Sequence, residues 1–161
     1  MFIANIFRSI FRVKRVKNLA ELCAYIRKGD LDDLAGWIRW RIKYVNDRKP
    51  SDEWQSADVA IKAGHSDCEE KAVIGTGVIR SWGGGWKAEN LYINNCYPGK
   101  AHAVTFWWHK REKGIIDGRP KIYHDNMTID DIVKENWPAA RYYIFKDSKG
   151  KSISEKVYLW V

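Results

Sequence analysis

The segment GHSDCEEKAVIG, residues 64–75, sets one cysteine behind a glycine, among acids, at the head of an apolar run. Three chemistries are open to Cys68. Its thiol can fill core space as a small apolar group. It can ligate a metal, or it can attack a carbonyl. A nucleophilic cysteine needs a stabilised thiolate, an imidazole within hydrogen-bond reach, and a carboxylate or amide that holds the imidazole in place. A helix start favours the first of these, because its free N–H groups and its dipole stabilise an anion. The pattern places such a start at Asp67, so Cys68 falls in the first turn. Asp67, Glu69 and Glu70 oppose a thiolate only if they face the sulfur, and successive helical residues face different ways.

The imidazole must come from His65, His102, His109 or His124. His102 opens AHAVTFWW, an alternating strand in which Val104 and Phe106 share its inward face by period two. His109 lies further along, on the opposite face. The next strand, KGIIDG, ends in Asp117 before a glycine. An acid there is often turn chemistry, yet an antiparallel return also brings it beside His102. Cys68, His102 and Asp117 thus make a workable triad carried by a helix, a strand and the next strand. Zinc is the competing reading: His65, Cys68, Cys96 and His102 offer four N/S ligands, although without a paired knuckle.

These side chains need a scaffold. Residues 2–16 repeat apolar positions at helical spacing with basic residues between them, which reads as an amphipathic helix or arm over 1–17, ahead of one domain over 18–161. Asn18 and Glu21 resemble a capping box for a helix from Leu19 that stops at Gly29. Asp30 caps a longer helix through DLDDLAGWIRWRIKYVND, with a stripe of Leu31, Leu34, Ile38, Ile42 and Val45. Residues 54–63 suggest a short helical turn. CEEKAVIGTGVIRS forms the third helix, whose Gly75 and Gly77 suit close packing in a buried position, and the glycines 83–85 end it. The texture then turns to strands: AENLYINNC, AHAVTFWWHK, KGIIDG and PKIYH. A short helix starts at Thr128, and ARYYIFKD with EKVYLWV reads as a hairpin across DSKGK. Helices first and an antiparallel sheet after make the fold class α+β.

The order and spacing of these residues resemble the transglutaminase-like cysteine protease superfamily. Its pattern is a tryptophan in a loop, then a glycine and a D-C-E-D/E-x-A segment opening a helix, later a strand beginning H-A-V or H-A-W, and an acid after an apolar pair. Here these are Trp54, DCEEKA with Cys68, HAV with His102, and IID with Asp117. The likeness spans about residues 31–120. Two departures are WQSAD, where the family often has proline, and Ser66 in place of a glycine before Asp67. The resemblance implies a papain-like core with the cysteine helix packed on the sheet. It implies Cys68 as nucleophile, His102 as general base and then acid, and Asp117 as the orienting carboxylate. The Cys68 N–H is the implied first oxyanion donor; Trp54, Gln55 and Tyr44 are candidates for the second. It also raises calcium, since some members bind it through acids flanking the cysteine; the matching positions are Asp67, Glu69 and Glu70, with surface solvation as the plainer reading. No other cofactor is implied.

The expected activity is acyl transfer at an amide through a thioester, with a protein or peptide as substrate. A binding module that keeps the fold without the chemistry is the alternative. Nine tryptophans are many for this length; Trp82, Trp86, Trp107 and Trp108 read either as cleft walls or as core. The net charge of +8 concentrates at Arg8, Arg12, Lys14, Arg15 and Lys17, which suits contact with an acidic partner or anionic surface. No nucleic-acid recognition motif accompanies it. Three cysteines without framework spacing fit a reducing compartment. With neither a signal peptide nor a membrane span recognisable, the expected location is the cytoplasm.

Overall fold

A computed structural model describes residues 13–46, 54–97 and 100–159. Most of the amphipathic segment therefore lies outside the described residues. Its described end, 13–16, is not helical. Val13 and Val16 instead pack against the core, and the Lys14 carbonyl accepts a hydrogen bond from Trp37 Nε1 at 3.0 Å.

Helix α1 spans Leu19–Tyr25. Asn18 accepts the Glu21 N–H, while the Glu21 carboxylate reaches back to the Lys17 N–H, one residue before the cap. The helix stops well short of Gly29, because Ile26 turns extended and buries its side chain. Helix α2 spans Leu31–Arg41 and is capped by Asp30. The expected continuation through Asp47 does not form. Ile42 is extended and almost wholly buried, and Lys43–Tyr44 becomes strand β1. Burying Ile42 outweighs its weak helix preference, so tertiary packing sets this boundary.

Helix α3, Ala57–Ala63, starts on the Ser56 side chain and closes at Gly64, whose φ of 73° is left-handed. That turn feeds strand β2, His65–Ser66, which pairs in parallel with β1. The pairing fixes the approach to helix α4, Cys68–Ser81, which begins two residues after β2.

The main sheet has strands β3 (Lys87–Tyr97), β4 (Lys100–His109), β5 (Glu112–Asp117), β6 (Arg119–His124), β7 (Tyr142–Lys146) and β8 (Val157–Tyr158). They lie in the order β6-β5-β4-β3-β7-β8, antiparallel at every pairing. The final pair is the expected hairpin with a longer connection, in register Tyr142↔Tyr158. Helix α5, Ile129–Asn136, carries a reciprocal Thr128–Asp131 cap.

Each face of the sheet holds a core. On one, α4 packs Ala72, Val73 and Ile74 with Ala103, Trp107 and Ile116. On the other, Ile132 and Val133 of α5 pack with Leu91, Val104, Phe106 and Ile115. The fold is α+β, with the cysteine helix on an antiparallel sheet as expected. Close approach of α4 depends on Gly75: a Cβ there would sit 2.3 Å from Thr105 Oγ1. That hydroxyl instead donates to the Ala72 carbonyl at 3.0 Å. Thr76 donates to Asn90 Oδ1 at 2.8 Å, and Asn90 Nδ2 donates to the Lys146 carbonyl at 3.2 Å. These buried polar groups are therefore satisfied. Among the described residues, no helix is long and apolar enough to cross a membrane.

Candidate active site

Cys68 is the first residue of α4 and is half-buried. The acids beside it are occupied with holding that helix end. Asp67 Oδ1 accepts the Glu69 N–H at 2.9 Å, and Glu70 Oε2 accepts the Asp67 N–H at 3.3 Å. This reciprocal cap satisfies N–H groups that would otherwise lack partners. The Cys68 N–H keeps no such partner among the described residues, so it can serve a ligand's oxygen.

His102 and Asp117 stand at the end of the sheet, beyond the last rung that joins their strands, Thr105↔Ile116. There His102 Nε2 lies 2.9 Å from Asp117 Oδ1. The sequence placed His102 on the same face as Val104 and Phe106, and those two side chains belong to the core away from α4. Cys68 nonetheless lines the same cavity as His102, and its charge favours the imidazolium. With Nε2 given to Asp117, Nδ1 is the nitrogen left for the sulfur. The Trp137 ring lies 5.9 Å away, at an edge-on angle to the imidazole.

Burial works against a charged His102, but the hydrogen bonds from Asp117 and Cys68, with their charges, outweigh it and raise the pKa from 6.5 to about 10. The imidazole is thus held protonated through the neutral range. Burial, followed by the negative charge of Cys68 and Asp67, raises Tyr44. Lys71, one turn along α4 from Cys68, is lowered by burial against the opposing pull of Cys68 and Asp67. Its ammonium sits 5.3 Å from the Tyr44 ring centroid.

A cavity of about 170 Å³ opens beside the three residues. Ala35, Ile38, Ala72, Ala103 and Ile116 give it apolar walls, and Arg39, Tyr44 and Lys71 also line it. Sequence reasoning did not single out Trp137, Lys71 or Arg39. For Lys71 a signal existed, since a residue three positions after Cys68 shares its helix face. Trp137 follows a helix distant in sequence, and nothing local ties it to His102.

The other candidates divide. Tyr44 lines the cavity. Gln55 spends its backbone N–H on Glu70 Oε1 at 2.9 Å, so that group is not a free oxyanion donor. Trp54 is buried in the core that α4 shares. None of the four tryptophans read as cleft walls lines this cavity. Trp107 is fully buried, Trp82 is nearly so, Trp86 stacks on His109 at 4.1 Å, and Trp108 packs on Phe106 and Phe145. They fill core because the sheet needs large apolar groups on both faces.

The zinc ligand set does not assemble. Cys96 is buried in the core opposite α4, with its thiol directed to the Lys100 carbonyl. The one grouping of three or more ligand-type residues found among the described residues is Asp67, Glu69 and Glu70, whose oxygens lie within 4.8 Å of one another. Burial, then the charges of Asp67 and Glu70, pushes Glu69 up to about 7. Burial and the Asp67 hydrogen bond raise Glu70 as well. The donors are hard oxygens, as calcium prefers. Three carboxylates still fall short of its usual six to eight ligands unless backbone or water completes the set.

Comparison with solved structures identifies a shared fold. LapG from Legionella pneumophila aligns over 84% of this chain and 70% of its own, with a TM-score of 0.50 and 19% identity. An EGTA-treated form of the same protein aligns over 84% and 68%, with the same score and identity. At this identity the likeness is one of fold, the papain/transglutaminase-like α+β arrangement. No protein-family model matches the chain, and no curated protein does.

Proposed function

We propose that this chain is a cysteine-dependent acyl-transfer enzyme acting on a protein or peptide amide, with Cys68 as nucleophile, His102 as acid and base, and Asp117 as orienting carboxylate. One observation carries the reading: His102 Nε2 lies 2.9 Å from Asp117 Oδ1, and both residues line one cavity with Cys68, the first residue of its helix. An imidazolium beside a sulfur favours the thiolate. A binding module has no need of that arrangement.

The steps follow from the geometry. The Cys68 sulfur adds to the amide carbonyl, and the developing oxyanion takes the Cys68 N–H at the head of α4. The C–N bond then breaks as His102 passes its proton to the leaving amine, which leaves a thioester on Cys68. His102, now neutral, removes a proton from water as the water oxygen attacks the thioester. The C–S bond breaks, the acid departs, and the ion pair returns. An amine in place of water gives transamidation by the same steps. Asp117 fixes the imidazole ring throughout.

An activated ester tests this without knowledge of the substrate. p-Nitrophenyl acetate should release a burst of nitrophenol and leave an acetyl thioester mapped to Cys68. The burst should vanish in Cys68→Ala and weaken in His102→Ala. Acetylation spread evenly over Cys23, Cys68 and Cys96 would count against the proposal.

Calcium is a second element of the proposal, favoured by the convergence of Asp67, Glu69 and Glu70. Those residues would hold it. The ion would neutralise crowded carboxylates and brace the head of α4.

A further inference from the structure

The proposed chemistry accounts for Cys68, His102 and Asp117 but gives no role to the two cations in the wall of their cavity. Lys71 is half-buried, and burial lowers its pKa. Yet it forms no ion pair among the described residues; its ammonium rests over the Tyr44 ring. Arg39 lines the same cavity from an exposed position, its guanidinium 5.0 Å from the Trp40 ring centroid and in no ion pair among the described residues. The nearest fixed negative groups have other work. Asp67 caps α4 and Asp117 holds His102. A partly desolvated ammonium without an anion is costly, so such groups are usually paired. Here no carboxylate pairs with the ammonium among the described residues, the charges of Cys68 and Asp67 do not offset its burial, and the cavity beside it is open. The cavity holds about 170 Å³. That is room for one side chain rather than a length of peptide. Its walls from Ala72, Ala103 and Ile116 suit methylenes, and its cations suit the carboxylate beyond them.

We propose that this cavity is a specificity pocket for an acidic side chain of the substrate, with Lys71 and Arg39 receiving its carboxylate next to the amide that Cys68 attacks. The proposal rests on the acyl-transfer reading for the word substrate. The pocket's preference for a carboxylate can be tested apart from catalysis. Residues beside a scissile amide that carry a positive charge would be rejected by the same two cations.

The test compares alkylation of Cys68 by anionic iodoacetate and neutral iodoacetamide in the full chain, with sites mapped by mass spectrometry. The ratio of the two rates cancels the intrinsic reactivity of the sulfur and reports the charge around it. It should fall about tenfold in Lys71→Gln and further when Arg39→Gln is added, as expected for removing unit charges a few ångströms away. N-acetylglutamate should protect Cys68 from iodoacetamide in the wild type, more strongly than N-acetylglutamine does, and the difference should disappear in the double variant. A ratio unchanged in both variants, or equal protection by the two amino-acid derivatives, overturns the proposal. The outcomes separate the two readings. A slow Cys68 whose ratio still depends on Lys71 removes the enzyme and leaves a carboxylate-binding pocket. A fast Cys68 with an indifferent ratio keeps the enzyme and removes the acidic preference.

Discussion

At the scale of the residue, His102 carries the most. Its Nε2 is held by Asp117 of β5, and it shares a cavity with Cys68 of α4, whose charge favours the imidazolium. Asp117→Asn should keep the shape but remove the charge. Acyl transfer should fall by about a hundredfold or more, and the pKa of His102 should drop toward 6.5, read by NMR titration of the ring. The sign for stability follows from the shift. The raised pKa makes His102 stabilising, fully so below 6.5, and that contribution is lost as pH rises through about 10. Wild type should therefore lose melting temperature between those values, and Asp117→Asn should lose less. Equal pH profiles would contradict the arrangement. The grouping of Cys68, His102 and Asp117 around one cavity was legible in the sequence because each sits at a punctuated place: a helix start, a strand start, and a strand end before glycine. Lys71 and Arg39 were not, because charged residues on helices are usually solvated and only the folded cavity shows that these two border it.

At the scale of the element, α4 needs both its acidic cap and its glycine face. Glu69, raised from 4.5 to about 7, is better tolerated protonated, so its favourable state is complete below 4.5 and lost as pH rises through 7. Above neutrality the carboxylate cluster costs stability. Calcium should raise the melting temperature near pH 8 (about one unit above that pKa) and do little near pH 5. Glu69→Gln should gain stability at the higher pH and lose the calcium response; a response that survives the substitution would move the ion elsewhere. On the opposite side of the helix, Gly75→Ala drives a methyl into Thr105. It should destabilise by about 1–3 kcal/mol in denaturant unfolding, with Gly75→Ser no better. An unchanged midpoint would show that α4 is free to shift. The sequence pattern suggested close packing from Gly75 and Gly77 but named no partner, because Thr105 lies on β4, far from Gly75 along the chain. The early end of α2 at Ile42 was hidden for a similar reason. Its apolar stripe continues past the helix, and only the burial of Ile42 and the β1–β2 pairing show the change.

At the scale of the whole molecule, one sheet separates two cores, and the candidate site lies at the end of β4 with α4 on one side only. The second core meets the site only through Trp137 among the described ring contacts, so a residue of α5 such as Ile132 should support the site without shaping its chemistry. Ile132→Ala, in α5, should lower stability by about 2–4 kcal/mol, while Cys68 keeps its reactivity relative to Cys23 under native conditions. Loss of that selectivity would tie the two layers together. The α+β architecture was readable from helical periodicity giving way to alternation. The assignment of tryptophans to cleft or core was not, since an alternating strand does not say which face meets a ligand. The central claim remains that Cys68 and His102 form an activated pair. It is tested most directly by limiting iodoacetamide across about pH 5 to 9, spanning the ordinary histidine and thiol pKa values, with modified cysteines mapped in wild type and His102→Ala. The account predicts rapid modification of Cys68 already at the acidic end, ahead of Cys23, and loss of that advantage in the variant. A Cys68 that reacts only as pH nears the ordinary thiol pKa of about 8.5, equally in both proteins, would contradict it.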